Sequence, residues 1–388
     1  MTSPAFAAPR GAPPVDRFSV SLNARAEHDT NLAGINPAEA RIRGLEPEDT
    51  VYTPSLTVNV NIPVSRQTVF FRGYLGYSYH DQNTLLDSER MTFDGGVNGR
   101  ISICDVTAEG SYQRGLSSFE DVVLAPTITN VLEVKHLGAT ATCARKTGIG
   151  LMASVSGDRA ENDQTLLRPQ DYEETAYTLG LTYSKPRLGT VTVYGAHKRT
   201  EYNHRVAVAG TEGYELDSFG LTYDRHLGAR IDGSVSVAYT SVSNIAAPSL
   251  TTPAGDFDGV TYSANLNYRA TSRLLAEAMF ERDVTPSNRF GNSYDVGTRY
   301  RLKGTYELGS RISLNLGAEQ REVDSQGSLA FAGNLTNSRM RVVFGGVTYR
   351  PSKLLSLGLD AAQEERRTND RRFDYDNTRV GLTAGVSY

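Results

Sequence analysis

The stretch Val380-Gly-Leu-Thr-Ala-Gly-Val-Ser-Tyr388 decides the fold class, because large or apolar residues alternate with small or polar ones and the run stops on an aromatic side chain. Alternation with a period of two is typical of a β-strand whose two faces differ. An apolar residue, then Thr or Asn, then Tyr recurs upstream every forty residues or so, roughly the length of one hairpin with a long loop and a tight turn. The copies are Leu181-Thr-Tyr183, Leu221-Thr-Tyr223, Leu266-Asn-Tyr268 and Val347-Thr-Tyr349, with Gly304-Thr-Tyr306 as a looser one.

Composition favours a membrane barrel over a soluble protein. The 388 residues include 36 glycines and 21 tyrosines, but only 39% are hydrophobic. The mean hydropathy is −0.38. A transmembrane barrel combines low hydropathy with regular strands because only alternate residues face lipid. No apolar run approaches the ~18 residues of a helical span, so a spanning chain must be a closed sheet. A propeller could show the same period, but its blades usually carry Trp, which the chain lacks.

The period-two pattern predicts eighteen strands, and an even number suits a single-chain barrel with both termini in the periplasm. They are predicted at 17–28, 50–62, 66–80, 91–103, 105–115, 131–143, 147–159, 172–185, 188–201, 214–225, 229–243, 258–270, 272–284, 294–307, 310–323, 338–350, 353–366 and 374–388. Short turns follow the even strands and longer polar segments follow the odd ones. We therefore predict an all-β, closed antiparallel transmembrane β-barrel of about 18 strands over residues 17–388, with short periplasmic turns and longer extracellular loops.

The N-terminal residues 1–16 are predicted to be a separate flexible segment. Ala5 and Ala7 fit the A-x-A pattern at the end of a secretory signal, although the charged and apolar regions that should precede it are missing. A disordered start rich in Ala and Pro explains the same residues equally well.

The strand at 259–270 shows how the register is fixed. Val260, Leu266 and Tyr268 share one face, and Asn267 and Arg269 share the other. A slip by one residue would place the arginine in lipid, at a cost of about 2–4 kcal/mol near the midplane. The recurring tyrosines then form one periplasmic aromatic girdle. Its predicted members are Tyr183, Tyr223, Tyr268, Tyr306 and Tyr349.

An eighteen-stranded barrel encloses an aqueous lumen. The predicted pore-lining residues are Asn265, Asn267, Arg269, Glu277, Glu281, Arg299, Arg301, Lys303, Glu319 and Arg321. If the turn at Gly309 pairs residues whose numbers sum to about 618, Arg299 lies opposite Glu319. These charges could orient a polar or anionic substrate, or they could form neutralising ladders that stiffen a wide barrel.

Two loops and two cysteines carry further expectations. Loop 29–49 contains a capped helical turn at 36–43 and could be an extracellular cap or an inward constriction. Loop 116–130 has apolar residues, among them Phe119 and Leu124, that could pack on the rim or a partner. The strand count places the Cα atoms of Cys104 and Cys143 ~9–10 Å apart, which is too far for an unstrained disulfide unless the turns bend inward, so whether the two cysteines pair stays open.

The sequence offers no catalytic cluster, metal site or cofactor site. The six histidines are scattered without a Ser/His/Asp order. Gly255-Asp-Phe-Asp-Gly259 lacks the ligands of a calcium loop and is predicted to be a turn. The net charge of −4 and interspersed basic residues give no support for nucleic-acid binding.

Several short motifs resemble the putative beta-barrel porin 2 family of outer-membrane proteins over about residues 17–388. They are Glu27-His-Asp-Thr-Asn-Leu32, Thr271-Ser-Arg-Leu274, Pro351-Ser-Lys-Leu354, Arg366-Arg-Thr-Asn-Asp370 and Asp374-Tyr-Asp-Asn-Thr-Arg-Val380. The resemblance implies a Gram-negative outer-membrane barrel without its own motor or enzymatic activity. It also implies insertion by the barrel assembly machinery, which reads the last strand. Leu382, Ala384, Val386 and Tyr388 match that outward-facing signal.

Some members of that family work with polysaccharide export machinery. We therefore expect a passive conduit for exopolysaccharide or capsule, driven by periplasmic and inner-membrane partners. The alternative is a diffusion porin for small polar solutes, for which a long inward-folded loop would be expected.

Overall fold

The computed structural model describes residues 18–117, 129–145, 147–205, 212–227, 230–245, 256–287, 292–326 and 336–388. Within these ranges the chain forms eighteen β-strands, one α-helix and three 3₁₀ turns. The strands β1 to β18 are Phe18–Asp29, Asp49–Val64, Gln67–His80, Ser88–Ile101, Cys104–Leu116, Val131–Cys143, Gly148–Asn162, Tyr172–Lys185, Gly189–Glu201, Gly213–Leu227, Ile231–Ile245, Phe257–Arg269, Leu274–Pro286, Tyr294–Leu308, Ile312–Gln326, Asn337–Tyr349, Leu355–Thr368 and Tyr375–Ser387. Helix α1 is Pro37–Ile42, and the 3₁₀ turns are Thr84–Leu86, Thr165–Gln170 and Arg371–Phe373.

The strands form a closed antiparallel barrel, as the sequence predicted. Each strand pairs with its sequence neighbour, and every strand end lies within three residues of its predicted position. The last strand closes against the first, with Ser21 opposite Ser387 and Asp29 opposite Arg379. Backbone hydrogen bonds between Val20 and Tyr388, at 2.9 and 2.8 Å, extend this closure to residue 388.

Alternating side chains give the sheet one apolar and one polar face. Large hydrophobic residues such as Leu137, Leu179 and Phe219 are 72%, 69% and 68% exposed, and the register places all of them on the same, outward face. A soluble protein buries such side chains, whereas a membrane barrel presents them to lipid. None of the described helices is long and apolar enough to cross a membrane.

Tight turns join the strands at one end of the barrel, which we call the short-turn end. Ser65 and Ser102 each adopt a φ of 58° in two-residue turns. A positive φ at the first turn residue matches the right-handed twist of the flanking strands. Gly309 has a φ of 75° between β14 and β15, a conformation that suits glycine. Longer connections lie at the opposite end, the long-loop end.

The predicted separation of Cys104 and Cys143 was wrong. Cys104 begins β5 and Cys143 ends β6, and the two residues lie directly opposite each other with a Cα–Cα distance of 3.8 Å. They form a disulfide at the short-turn end. The predicted separation assumed an intervening strand, but strands joined by one loop are adjacent in an antiparallel barrel.

Three sequence predictions fall on residues that the structure does not describe. These are the N-terminal segment 1–16, most of loop 116–130 with Phe119 and Leu124, and Gly255 at the start of the predicted turn. The prediction of a turn was wrong for Phe257 to Gly259, because these residues begin β12 and pair with β11. The side chain of His226 is also outside the description.

Candidate functional site

The lumen is lined by the polar face of the sheet. In β12, Val260, Leu266 and Tyr268 lie outward and are 43–49% exposed. Asn267 and Arg269 occupy the alternate, inward positions and are also exposed. Exposure on both faces means that this part of the wall is a single sheet between lipid and an aqueous lumen.

All ten sequence-predicted lining residues occupy inward positions on β12 to β15. Lys303 Nζ lies 3.1 Å from Glu277 Oε2 across the β13–β14 pair. Arg299 Nε donates to Glu319 Oε1 at 2.7 Å, and Arg301 Nε lies 3.7 Å from the other carboxylate oxygen of Glu319. Glu319 is thus shared between two arginines, so part of the predicted charge cluster is neutralised within the wall.

The register between β14 and β15 differs from the prediction by two residues. Arg301 lies directly opposite Glu319, while Arg299 lies opposite Arg321. The ion pair between Arg299 and Glu319 is therefore diagonal. Directly opposed like charges are unfavourable, and Arg321 forms no ion pair within the described part of the chain. Arg321 is consequently available to a solute in the lumen.

A second charged group lies where β17, β18 and β1 meet, and sequence reasoning missed it. Both terminal nitrogens of Arg25 donate to Asp360, each at 2.7 Å, and Arg25 also contacts Glu27. A side chain at position 381 would lie 2.4 Å from Arg25 Nη2, so glycine there leaves room for the guanidinium. The sequence already placed Arg25 and Asp360 at inward positions of their strands. That the two side chains meet could be seen only from the register in which β18 pairs with β1 and β17.

The loop between β1 and β2 packs at the mouth of the long-loop end. Asn36 caps α1 by accepting from Ala38 N at 2.9 Å, which confirms the predicted capped turn. Ile35 and Ala40 of this loop pack with Leu86 and Phe373 from two neighbouring loops. The loop also approaches the ring of Tyr375, which occupies an inward position on β18. The packing therefore covers the part of the mouth above β18.

Backbone hydrogen bonds hold this loop cluster together. The carboxylate of Asp49 accepts from the backbone amides of Asp81 and Gln82, each at 3.1 Å, and of Asn83 at 2.9 Å. Asn36 N donates to Arg372 O at 2.9 Å. Three loops are thereby joined at one side of the mouth.

The far ends of β13 and β14 separate from β12 and fold toward the inside of the barrel, while β14 stays paired with β15 as far as Tyr294 and Gln326. Pairing between β12 and β13 stops at Tyr262 and Arg282, although β12 continues to pair with β11 as far as Phe257. We call the departing segment, residues 284–287 and 292–296, the inner hairpin.

The inner hairpin packs against the inner surface of β10 and β11. Val284, Tyr294 and Val296 form a buried cluster with Tyr214, Leu216 and Val242. The last three side chains occupy inward positions, as the outward, exposed Phe219 and Tyr239 show. The rings of Tyr214 and Tyr294 lie 5.5 Å apart and both are fully buried. A second layer of sheet therefore lies within the barrel on this side.

Tyr202 and Arg205, from the loop after β9, anchor the inner hairpin. The Tyr202 hydroxyl donates to the Ser293 carbonyl and accepts from Ser287 N at 3.2 Å. Arg205 Nη2 donates to Asn292 O at 2.8 Å, and its guanidinium lies 3.6 Å from the centroid of the Tyr202 ring. Burial raises the pKa of Tyr202 to about 12 and lowers that of Arg205. The phenol therefore remains protonated, as a donor, at neutral pH.

The inner hairpin also places acidic residues near the basic ones. Asp283 and Asp295 lie on the opposite face of the hairpin from the packed Val284 and Val296. This is the same face on which Glu281 and Arg299 point into the lumen. Carboxylates and guanidinium groups therefore occur at one level of the lumen. Sequence reasoning missed this arrangement because Val284, Tyr294 and Val296 follow the outward alternation. The apolar residues at inward positions of β10 and β11 were the available signal.

The predicted girdle and terminal-strand residues lie on the outward face. Tyr183, Tyr268, Tyr306 and Tyr349 are 38–45% exposed near the short-turn end, and Tyr223 shares their face. Leu382, Val386 and Tyr388 are 60%, 54% and 87% exposed, with Ala384 also outward. Among the described residues, no group of three His, Cys, Asp or Glu side chains is placed to hold a metal ion.

Several solved outer-membrane proteins are similar to this chain over most of its length. Pseudomonas aeruginosa OccK2 (OpdF) in complex with glucuronate is 12% identical, with 95% of this chain and 98% of that chain covered and a TM-score of 0.47. P. aeruginosa OpdK with vanillate is 11% identical, with 96% and 99% covered and a TM-score of 0.45. A BenF-like porin from Pseudomonas fluorescens Pf-5 is 11% identical, with 96% and 100% covered and a TM-score of 0.46. Similarity at this level of sequence identity and TM-score gives no information about the substrate of this chain.

A search of the curated proteins returned no match. The family model described as putative beta-barrel porin 2 matches residues 19–388, which is nearly the whole chain and the entire barrel. The chain therefore belongs to the putative beta-barrel porin 2 family of outer-membrane β-barrel porins.

Proposed function

We propose that the protein is a passive channel that admits small polar solutes and discriminates among them by charge. The observation that carries this proposal is the inner hairpin, which lies inside the wall and is anchored across to the β9–β10 loop. A second layer within the lumen narrows the path on that side. A narrowed path favours small solutes over a polymer.

The charges beside the inner hairpin support selectivity. Arg299 and Arg301 share one carboxylate, and Arg321 has no ion-pair partner in the described chain. A basic group without a partner in a confined aqueous path attracts anions more strongly than it would in bulk water, because low-dielectric walls focus the field. Glu281 and Asp283 on β13, two strands from Arg321, would attract cations and would orient a solute that carries both polar and charged groups.

The polysaccharide conduit expected from the family resemblance has weaker support. A polymer would have to pass the inner hairpin and the packed loop cluster that covers the mouth above β18. The proposal of a channel for small solutes rests on the inner hairpin and the lumen charges.

The test is the reversal potential across a planar bilayer that contains the purified barrel, in a KCl gradient. Arg321→Gln and Arg299→Gln should each shift selectivity toward cations. Arg199→Gln removes the same charge from an outward position on β9 and serves as the matched control. Equal shifts in all three variants, or none in any, would refute selection by the lumen charges.

Solute size separates the two functions. Liposomes that contain the barrel should swell in monosaccharide and organic-acid solutions and should exclude oligosaccharides. In a deletion strain, surface polysaccharide should remain normal. Loss of surface polymer with precursor accumulation, restored by the intact gene, would instead assign the protein to export.

A further inference from the structure

Charged residues also lie on the outward face, at the long-loop end of β15 to β18. Arg339 and Arg341 share the face of the exposed Val343 on β16. Arg367 shares the face of the exposed Leu359 on β17. These arginines therefore face the membrane side of the wall and not the lumen.

The three arginines line one cleft of about 310 Å³, which we call the arginine cleft. Its other lining residues are Asn337, Glu365, Thr368 and Asn369. The lining carries three positive charges and one negative charge. Arginine is well suited to phosphate because its planar fork can donate two parallel hydrogen bonds.

Carboxylates pair with two of the three arginines and leave Arg341 without an ion pair in the described part of the chain. Arg339 pairs with Glu322 at 2.7 Å, and Arg367 contacts Glu365 and Asp376 at 3.0 and 3.1 Å. Arg341 reaches only Gln320 Oε1, at 3.4 Å, and forms no ion pair with a described residue.

The register adds an unfavourable contact that an anion would relieve. Arg339 and Arg367 lie directly opposite each other across the β16–β17 pair. Like charges in that position destabilise a sheet. The carboxylate partners of the two arginines offset part of this repulsion, and an anion that both guanidinium groups contact would offset more of it.

The height of the cleft matches the lipid headgroups. Arg341 lies eight residues along β16 from the girdle residue Tyr349. At about 3.3 Å per residue and a strand tilt of about 40°, this is about 20 Å above the girdle, and Arg339 is about 25 Å above it. The apolar band of such barrels is about 25 Å tall, so the cleft lies at its upper boundary. Val343 and Leu359, on the same face just below, provide an apolar surface for acyl chains.

We propose that the arginine cleft binds the phosphorylated headgroup of a lipid in the outer leaflet. The phosphate contacts Arg339, Arg341 and Arg367, and the acyl chains lie along Val343 and Leu359. This proposal rests on the barrel and its membrane orientation and is independent of what passes through the lumen.

The test uses the full barrel in detergent and lipid A with both phosphates as the probe, with bound lipid counted by native mass spectrometry. Arg339→Gln, Arg341→Gln and Arg367→Gln combined should weaken binding about tenfold or more, because charge-assisted bonds to phosphate are lost. The matched control combines Arg114→Gln, Arg159→Gln and Arg199→Gln, which are outward positions on the opposite side of the barrel. That control should bind nearly as the unmodified protein does.

Two further arms identify the ligand. Lipid A without phosphates should bind about tenfold more weakly, and inorganic phosphate at an equal concentration should not displace lipid A. Equal binding of the phosphate-free lipid, or displacement by inorganic phosphate, would overturn the proposal, as would equal loss in both triple variants. If the triple variant fails to fold, Arg341→Gln alone, which breaks no ion pair, should still weaken binding about threefold.

Discussion

Removal of a single hydroxyl should loosen the inner hairpin. In Tyr202→Phe, two hydrogen bonds are lost, one to the Ser293 carbonyl and one from Ser287 N. Each contributes about 0.5–1.5 kcal/mol net, so docking should weaken by about 1–3 kcal/mol. This corresponds to an increase of about 5- to 150-fold in the undocked population. The stacked Arg205 retains an aromatic ring beneath it, so the substitution isolates the hydroxyl.

Hydrogen exchange followed by mass spectrometry measures this effect directly. Amides of residues 292–297 should exchange faster by that factor, and single-channel records should show a new, larger conductance level. Tyr239→Phe is the control, since Tyr239 is outward and 58% exposed. Unchanged protection of residues 292–297 in Tyr202→Phe would refute the role of Tyr202 as the anchor.

Three further predictions concern the pH response, the register and the disulfide. Burial raises the pKa of Tyr202 to about 12, whereas the phenol of the undocked hairpin ionises near pH 10. Docking of the inner hairpin should therefore be fully stable below pH 10 and should weaken between pH 10 and 12. Hydrogen exchange measured as a function of pH at constant temperature, and corrected for intrinsic rates, checks this. Leu316 lies outward and is 67% exposed, so Leu316→Arg should lower the free energy of unfolding of the barrel in lipid vesicles by about 2–4 kcal/mol, measured by urea unfolding. Asn315→Arg, on the lumen face, should lower it much less. Similar losses in the two variants would contradict the register. The disulfide Cys104–Cys143 closes a loop of 39 residues. From the chain entropy of that loop, its reduction should lower the free energy of unfolding by about 4 kcal/mol. The same urea midpoint with and without reductant would show that the disulfide does not contribute.

Local alternation made the strands predictable, because the two faces of each strand must meet different solvents. Leu355, Leu357 and Leu359 against Ser356 and Asp360 are enough to assign both faces of β17. The tight turns also follow from local sequence. These features depend on residues a few positions apart.

Features that depend on distant contacts could not be derived in the same way. The sequence placed Arg299 opposite Glu319, but a two-residue difference at the turn made Arg301 its direct partner. The inner hairpin was missed because Val284 and Val296 are apolar at outward positions, as residues in contact with lipid would be. Only their packing on Tyr214, about seventy residues or more away in sequence, shows that they contact protein instead.

The closure between β1 and β18 has a kinetic consequence. Ser21 and Ser387, which share a hydrogen bond, are 366 residues apart, whereas Ile101 and Cys104 pair across three. The loop closed by β1 and β18 is longer than the β4–β5 turn by about seven doublings of length. Each doubling adds about 0.6 kcal/mol to the entropic cost, so pairing of β18 with β1 costs about 4 kcal/mol more. Closure should therefore form after the folding transition state. Arg25→Gln, which removes the contacts to Asp360, should accelerate unfolding and leave the folding rate nearly unchanged in stopped-flow measurements, and a slower folding rate would show that closure comes earlier.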